Sequence, residues 1–368
     1  VKLVWDSELR EMLPGVTRNI LSGRNSFVWP TDNQAIVTNY DVLPDSFLNP
    51  PPNVHIVYDE VHYLKSTSSQ RSKRARKLSL AVLGNGGKVW GLSATPLASA
   101  PDDLYGVTYA LTIDTSIWGS YRAFFWLFRG YKHQMGRLSV TRWGQPRDEV
   151  PSLMRPFCLG RNRVDVLPDL PVKSYRTIEV QTGKIKEEED VTVEELLQPR
   201  ESGALSKARA AQAYAKARNR DVLDLIKSYL YEGPLVVFSA HVKAIEYISK
   251  VFDVPCLTGG SDHKSRAEAV EGFTEGYVKL LPGTIGAMGT GLTLTQACRV
   301  LFLDRSWIPA DNVQAEDRVC RIGQTRGVEV IDIVSSDSHI DRNVFRLLRK
   351  KEAIINASIG ASLEKRPQ

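Results

Sequence analysis

Cysteine is scarce in this sequence, and long apolar runs are missing. The four cysteines, Cys158, Cys256, Cys298 and Cys320, form no C-x-x-C pair and no tight cluster. That excludes a disulfide framework and a four-thiolate zinc site, and it points to a reducing compartment. The longest stretch without charge, residues 280–298, holds Pro282, four glycines and four threonines, which makes a poor membrane span. The first residues mix charged and apolar side chains (Lys2, Trp5, Asp6, Glu8) without the apolar centre of a secretory signal. An initiator methionine is also missing, and the start reads like the middle of a domain, so a fragment is expected. What is present is an ordinary globular balance over 368 residues, 42% hydrophobic and 24% charged, with apolar material for one large or two medium cores.

Net charge is +6, and its distribution is more informative than its size. Six basic residues and no acid lie between Lys65 and Lys77. A second group (Lys207, Arg209, Lys216, Arg218, Arg220) sits on an alanine-rich helical pattern, and a third (Arg342, Arg346, Arg349, Lys350, Lys351) lies near the C-terminus. Such clusters can neutralise a phosphate backbone or simply form solvated helix faces. Acids at 187–190, with Glu194 and Glu195, mark a surface connection.

Short apolar runs at 35–38, 54–58, 89–92, 235–238, 300–303 and 328–334 alternate with helical patterns. Their spacing predicts strands buried on both faces of a mainly parallel α/β sheet. One group ends near Leu97 and the other begins near Leu235. Between them, residues 118–157 are aromatic-rich and read as helical. The predicted organisation is therefore two α/β lobes, 1–157 and 158–368, with helical insertions between them and a C-terminal helix.

In open parallel sheets the chemistry gathers where strands end. The run ending at Tyr58 delivers Asp59 and Glu60, a pair suited to holding Mg²⁺ and to orienting or deprotonating an attacking water. The same pair also occurs as a plain loop start, and a metal reading of His55, Asp59 and His62 matches no established ligand spacing. Gly91-Leu-Ser93-Ala-Thr95-Pro96 ends the next run; it is not a nucleophile elbow, because position 95 is Thr rather than Gly. Farther on, Pro309 and Asp311 can open a helix and Gly323 can close it. On such a helix Gln314, Arg318 and Arg321 share a narrow arc beside a buried stripe of Ala315, Val319 and Ile322. Two guanidinium groups one turn apart suit charge on a transferring phosphoryl group. Gly289-Thr-Gly291-Leu-Thr293-Leu-Thr295 is a small-residue loop that a phosphate could approach closely.

Together, these segments resemble the SWI/SNF-type family of helicase superfamily 2, in order and across nearly the whole chain. Residues 57–65 look like motif II, and Gly91–Pro96 with Asp103-Leu-Tyr105 looks like motif III. Residues 36–41 resemble motif Ib, 163–171 the inter-lobe signature, 237–239 motif IV, 289–295 motif V and 314–324 motif VI. Trp307-Ile-Pro309-Ala310 extends the last match, and the segment 118–129 is similar to the annealing-helicase branch. The resemblance implies two RecA-like lobes with parallel sheets, the first incomplete, and ATP bound between them. Asp59 and Glu60 would hold Mg²⁺, Glu60 would activate water, and Arg318 and Arg321 would serve as fingers. His62, Thr95, Gly289, Gly291, Gln314 and Gln324 would couple nucleotide state to lobe closure. Thr38, Asn39, Ser239, Thr258 and Thr293 would contact DNA phosphates.

The departure from the family lies upstream. No G-x-x-x-x-G-K-[ST] loop occurs, and residues 4–14 resemble the segment just after motif Ia. The 368 residues alone are therefore expected to turn over ATP poorly. The implied function is an ATP-dependent translocase on double-stranded or branched DNA, independent of base sequence, with a role in DNA repair and no membrane partner. It would be cytoplasmic, at the nucleoid, in a bacterial or viral system, and nuclear in a eukaryote. A strand-separating DNA or RNA helicase and a non-hydrolysing DNA-binding scaffold are the alternatives.

Overall fold

A computed structural model describes residues 2–23, 27–94, 97, 99–135, 138–161, 166–189, 191, 201–288 and 292–359. The chain divides into two compact units, Val1–Leu159 with Ala357–Ile359, and Gly160–Asn356.

The first unit pairs β1 (Thr17–Ile20) with β2 (Gln34–Val37), and β3 (His55–Tyr58) with β4 (Lys88–Gly91), both in parallel. Helix Gln70–Gly84 begins at Ser69, whose hydroxyl accepts the Ser72 amide. It buries Ala75, Leu78 and Val82 against Tyr58, Val61 and Leu64. These strands are half-exposed rather than buried on both faces: Val57 and Trp90 stand open, and among the described residues each strand is paired on one side only. The aromatic segment is not wholly helical either. Short helices Tyr121–Leu127 and Val150–Met154 flank an antiparallel hairpin, β5 (Tyr131–Met135) and β6 (Leu138–Arg142). Val140 and Thr141, β-branched, favour the strand.

The second unit is built on an all-parallel sheet in the order β7 (Lys173–Val180), β11 (Val328–Ser335), β10 (Arg299–Phe302), β8 (Leu235–Ser239), β9 (Leu280–Thr284). Every residue of β8 is buried. Val236 and Phe238 join one core with Phe273 and Val319, while Leu235 and Val237 join the other with Ile226 and Ile245. Helices therefore cover both faces, as an apolar central strand requires. Pro282 is tolerated because β9 is an edge strand.

Candidate active site

The acid pair leaves the buried end of β3. Tyr40 stacks on Tyr58 at 6.0 Å and donates its hydroxyl to the Asp59 carbonyl at 2.5 Å. Burial pushes both phenols up from their ordinary value. The Asp59 carboxylate accepts the Trp5 indole N–H at 2.8 Å on Oδ2 and the Glu60 amide at 2.9 Å on Oδ1. Glu60 itself turns through the left-handed region at φ 49°, which few side chains other than glycine adopt readily. That turn lets the Val61 amide reach the Leu92 carbonyl at 2.8 Å, while the Leu92 amide reaches the Tyr58 carbonyl at 2.8 Å. The acid pair is thus stitched to the end of β4. There, buried His62 places Nδ1 3.2 Å from Glu60 Oε2 and 3.2 Å from Ser93 Oγ. Asp59, Glu60, His62 and Ser93 are brought together; Thr95 lies outside the described residues.

Among the described residues no three His, Cys, Asp or Glu converge as a metal cage. Two adjacent carboxylates at a strand end fit Mg²⁺ shared with substrate phosphates, the usual mode for that cation.

The arginine segment differs from its expected helix. Helix Pro309–Glu316 stops at Glu316, and Asp317–Cys320 follow in tight turns, with the Arg318 amide on the Ala315 carbonyl at 3.2 Å and the Cys320 amide on Glu316 at 3.0 Å. The reason is competition for the backbone and the helix end. The Arg318 carbonyl accepts the Leu294 amide at 2.8 Å, and Lys173 holds Asp317 at 2.8 Å. Ala315 and Val319 are buried as the periodicity predicts, but Ile322 is 70% exposed and Cys320 fills the core in its place. Half-buried Arg318 and exposed Arg321 therefore stand on a turn beside the 292–294 loop, with Arg321 Nη1 3.2 Å from the Leu292 carbonyl. Half-buried Gln314 lies on the helix before them.

Gln324 is buried, with every polar atom engaged. Its amide nitrogen donates to the carbonyls of Thr295, Ala297 and Val319 at 3.0, 2.7 and 3.2 Å, and its oxygen accepts the amides of Thr325 and Arg326. It pins the 295–297 loop to the arginine turn. Gly289 and Gly291 lie outside the described residues.

The residues assigned to DNA contact are placed unevenly. Thr293 is exposed, and Thr258 is half-buried in a turn closed by Ser261 at 2.9 Å. Exposed Asn39 precedes the turn Tyr40–Val42, and the buried Thr38 hydroxyl has no partner among the described residues. Ser239 departs from its assignment. It is fully buried, with its hydroxyl donating to Asp304, so its side chain faces the interior rather than a phosphate.

Several basic residues are also engaged within the protein. Arg71, Arg74 and Arg76 pair with Asp41, Asp45 and Asp114. Lys216 is buried, with Nζ donating to the Leu303 and Ile333 carbonyls and to Asp341. Arg209 pairs with Glu201, and Lys351 donates to the Trp307 carbonyl at 2.8 Å. Sequence reasoning missed the centre of this network, Arg305. It is completely buried between Asp332, at 2.5 and 2.9 Å, and Glu316 at 2.5 Å. Burial opposes its charge, but the two carboxylates outweigh that and raise its pKa. Tyr175 and Lys173 also bind Glu316, so the last residue of the helix before Arg318 is held from three sides. Asp304-Arg305 at the end of an apolar run was the available signal.

Residues 217–323 match the helicase conserved C-terminal domain. A SWI/SNF-related matrix-associated actin-dependent regulator of chromatin subfamily A-like protein 1 from Xenopus tropicalis is 27% identical over 93% of this chain and 37% of its own length. The DNA annealing helicase and endonuclease ZRANB3 of Bos taurus is 25% identical over 98% of this chain and 36% of its own. The chain thus spans less than two fifths of these two relatives. The Sulfolobus solfataricus SWI2/SNF2 ATPase core in complex with dsDNA overlays 97% of this chain and 81% of its own at a TM-score of 0.39 and 22% identity. In its ordered motif series and in these sequence relatives, the chain is similar to SWI/SNF-type members of helicase superfamily 2.

Proposed function

We propose that this chain is the motor region of an ATP-dependent translocase on double-stranded DNA. The observation that carries the reading is the linkage of Asp59 and Glu60 through His62 to Ser93, an arrangement that couples a hydrolytic acid pair to the end of the neighbouring strand. Asp59 would hold the nucleotide's Mg²⁺, which would supply neutralisation of charge on the phosphates. Glu60 takes a proton from the attacking water, and His62 orients that carboxylate. Arg318 and Arg321 offset charge on the transferring phosphoryl group, and Gln324 fixes the turn that carries them. Asn39, Thr258 and Thr293 supply sequence-independent contacts to phosphates, while the buried Thr38 hydroxyl does not. The similarity to a regulator of chromatin and to a DNA annealing helicase supports a DNA partner and a nuclear site of action.

Displacement of a triplex-forming strand by the complete protein, with ATP and without separation of the underlying duplex, is the predicted behaviour. Separation of a plain duplex would favour a strand-separating helicase. Tight, salt-sensitive DNA binding with no turnover would favour a scaffold.

A further inference from the structure

Residues 115–147 contain six arginines and lysines, eight aromatic residues and no aspartate or glutamate. The helix Gln70–Gly84 is similarly basic, but Arg71, Arg74 and Arg76 there are neutralised by acids. Here the charge is left open. Among the described residues Arg122, Arg129, Lys132 and Arg142 form no ion pair, and Arg142 Nε has no hydrogen-bond partner.

The segment is also well anchored. Trp143 packs edge-on against Phe124 and Phe125 at 5.8 and 5.3 Å. The Gly144 amide bonds to the Phe128 carbonyl at 3.1 Å, and that of Gly130 to the Phe125 carbonyl at 2.8 Å. On this base stands the two-stranded hairpin β5–β6, with Tyr131 opposite Arg142. Tyr131 is 51% exposed and Trp126 54% exposed. The Arg147 guanidinium lies 3.6 Å from the centroid of the Trp126 ring, which holds that ring in place.

We propose that hairpin β5–β6 and helix Tyr121–Leu127 bind an unpaired DNA strand. Tyr131 and Trp126 stack on bases, while Arg122, Arg129 and Lys132 meet phosphates. A duplex keeps its base faces inside, so open rings among unpaired cations match single-stranded nucleic acid. This inference rests on the DNA-directed reading above, and it adds a second grip suited to the unpaired arm of a branched substrate.

The test is fluorescence anisotropy of the complete protein with a labelled oligothymidylate and with a blunt duplex of equal length. Tyr131→Ala is expected to weaken oligothymidylate binding about ten-fold, as loss of one stacked base does, with duplex binding unchanged. Tyr131→Phe retains affinity. Lys132→Gln reduces the salt slope on the single strand by about 0.7. Wild-type oligothymidylate affinity in Tyr131→Ala, or equal losses on both DNAs, would overturn the proposal. Duplex-stimulated ATP turnover, read in parallel, separates the two claims. Turnover without single-strand binding overturns the hairpin assignment alone, whereas single-strand binding without turnover supports the hairpin and overturns the motor.

Discussion

His62 Nδ1 lies 3.2 Å from both Glu60 Oε2 and Ser93 Oγ. One buried imidazole nitrogen therefore senses the general-base candidate and the end of the next strand at once. Any displacement of the 91–94 segment on nucleotide binding must change the hydrogen bond available to Glu60.

Glu60→Gln is expected to lower ATP turnover by a factor of about 10²–10⁴, the range of a lost general base, with nucleotide affinity retained. His62→Ala is expected to lose less turnover but most of the stimulation by DNA. Steady-state turnover with and without duplex, beside nucleotide titration, checks both. Retained stimulation in His62→Ala would remove its coupling role.

Asp332→Ala strands the buried Arg305 guanidinium without its two-point partner. Removing one member of such a pair costs about 3–5 kcal/mol. Urea unfolding should show that loss, and a cost below about 1 kcal/mol would mean the network contributes as little as a surface pair.

Gly106 lies where helix Pro101–Ala110 crosses the backbone of Lys65. A Cβ at this position would stand 1.9 Å from the Lys65 carbonyl oxygen, and backbone cannot rotate away as a side-chain tip can. Gly106→Ala should destabilise the first unit by about 1–3 kcal/mol or more through overpacking, read as a lowered thermal midpoint. An unchanged midpoint would show that helix and turn separate freely.

The Asp337 carboxylate accepts the Ser335 hydroxyl at 2.5 Å and the amides of Gly183 at 2.7 Å and Thr182 at 3.1 Å. The Ser335 bond, with support from the two amides, lowers its pKa from 3.8 to about 2. A folded pKa below the unfolded one adds stability above pH 3.8, and that stability is lost as pH falls through about 2. Asp337 is exposed, so solvent screening holds the gain below about 1 kcal/mol. Asp337→Asn should be slightly less stable at neutral pH and converge with the wild type at the acid end. Parallel acid-unfolding curves would contradict this.

Much of the fold is legible where apolar runs are continuous. Strands β3, β4, β8, β10 and β11 fall on the runs read from the sequence; β8, β10 and β11 are central, whereas β3 and β4 are half-exposed. Strands β7 and β9 escape that reading because β7, at one sheet edge, alternates in burial, and β9, at the other, is buried but interrupts its apolar run with Pro282 and Gly283. The hairpin hides inside aromatic residues that also suit helices. Asp59 and Glu60 are legible because they follow an apolar run directly. The end of helix Pro309–Glu316 is not, since Lys173 and Leu294, distant in sequence, fix it. Arg305 is invisible for a related reason: only tertiary partners make a fully buried arginine possible.

ATP turnover by the complete protein, with and without duplex DNA, beside Glu60→Gln and Arg321→Ala, tests the motor assignment most directly. The account predicts strong stimulation by duplex in the wild type, abolished in Glu60→Gln and reduced about 10³-fold or more in Arg321→Ala, as for a lost arginine finger. Stimulated turnover that survives in Arg321→Ala, or no turnover at all beside tight DNA binding, would contradict it.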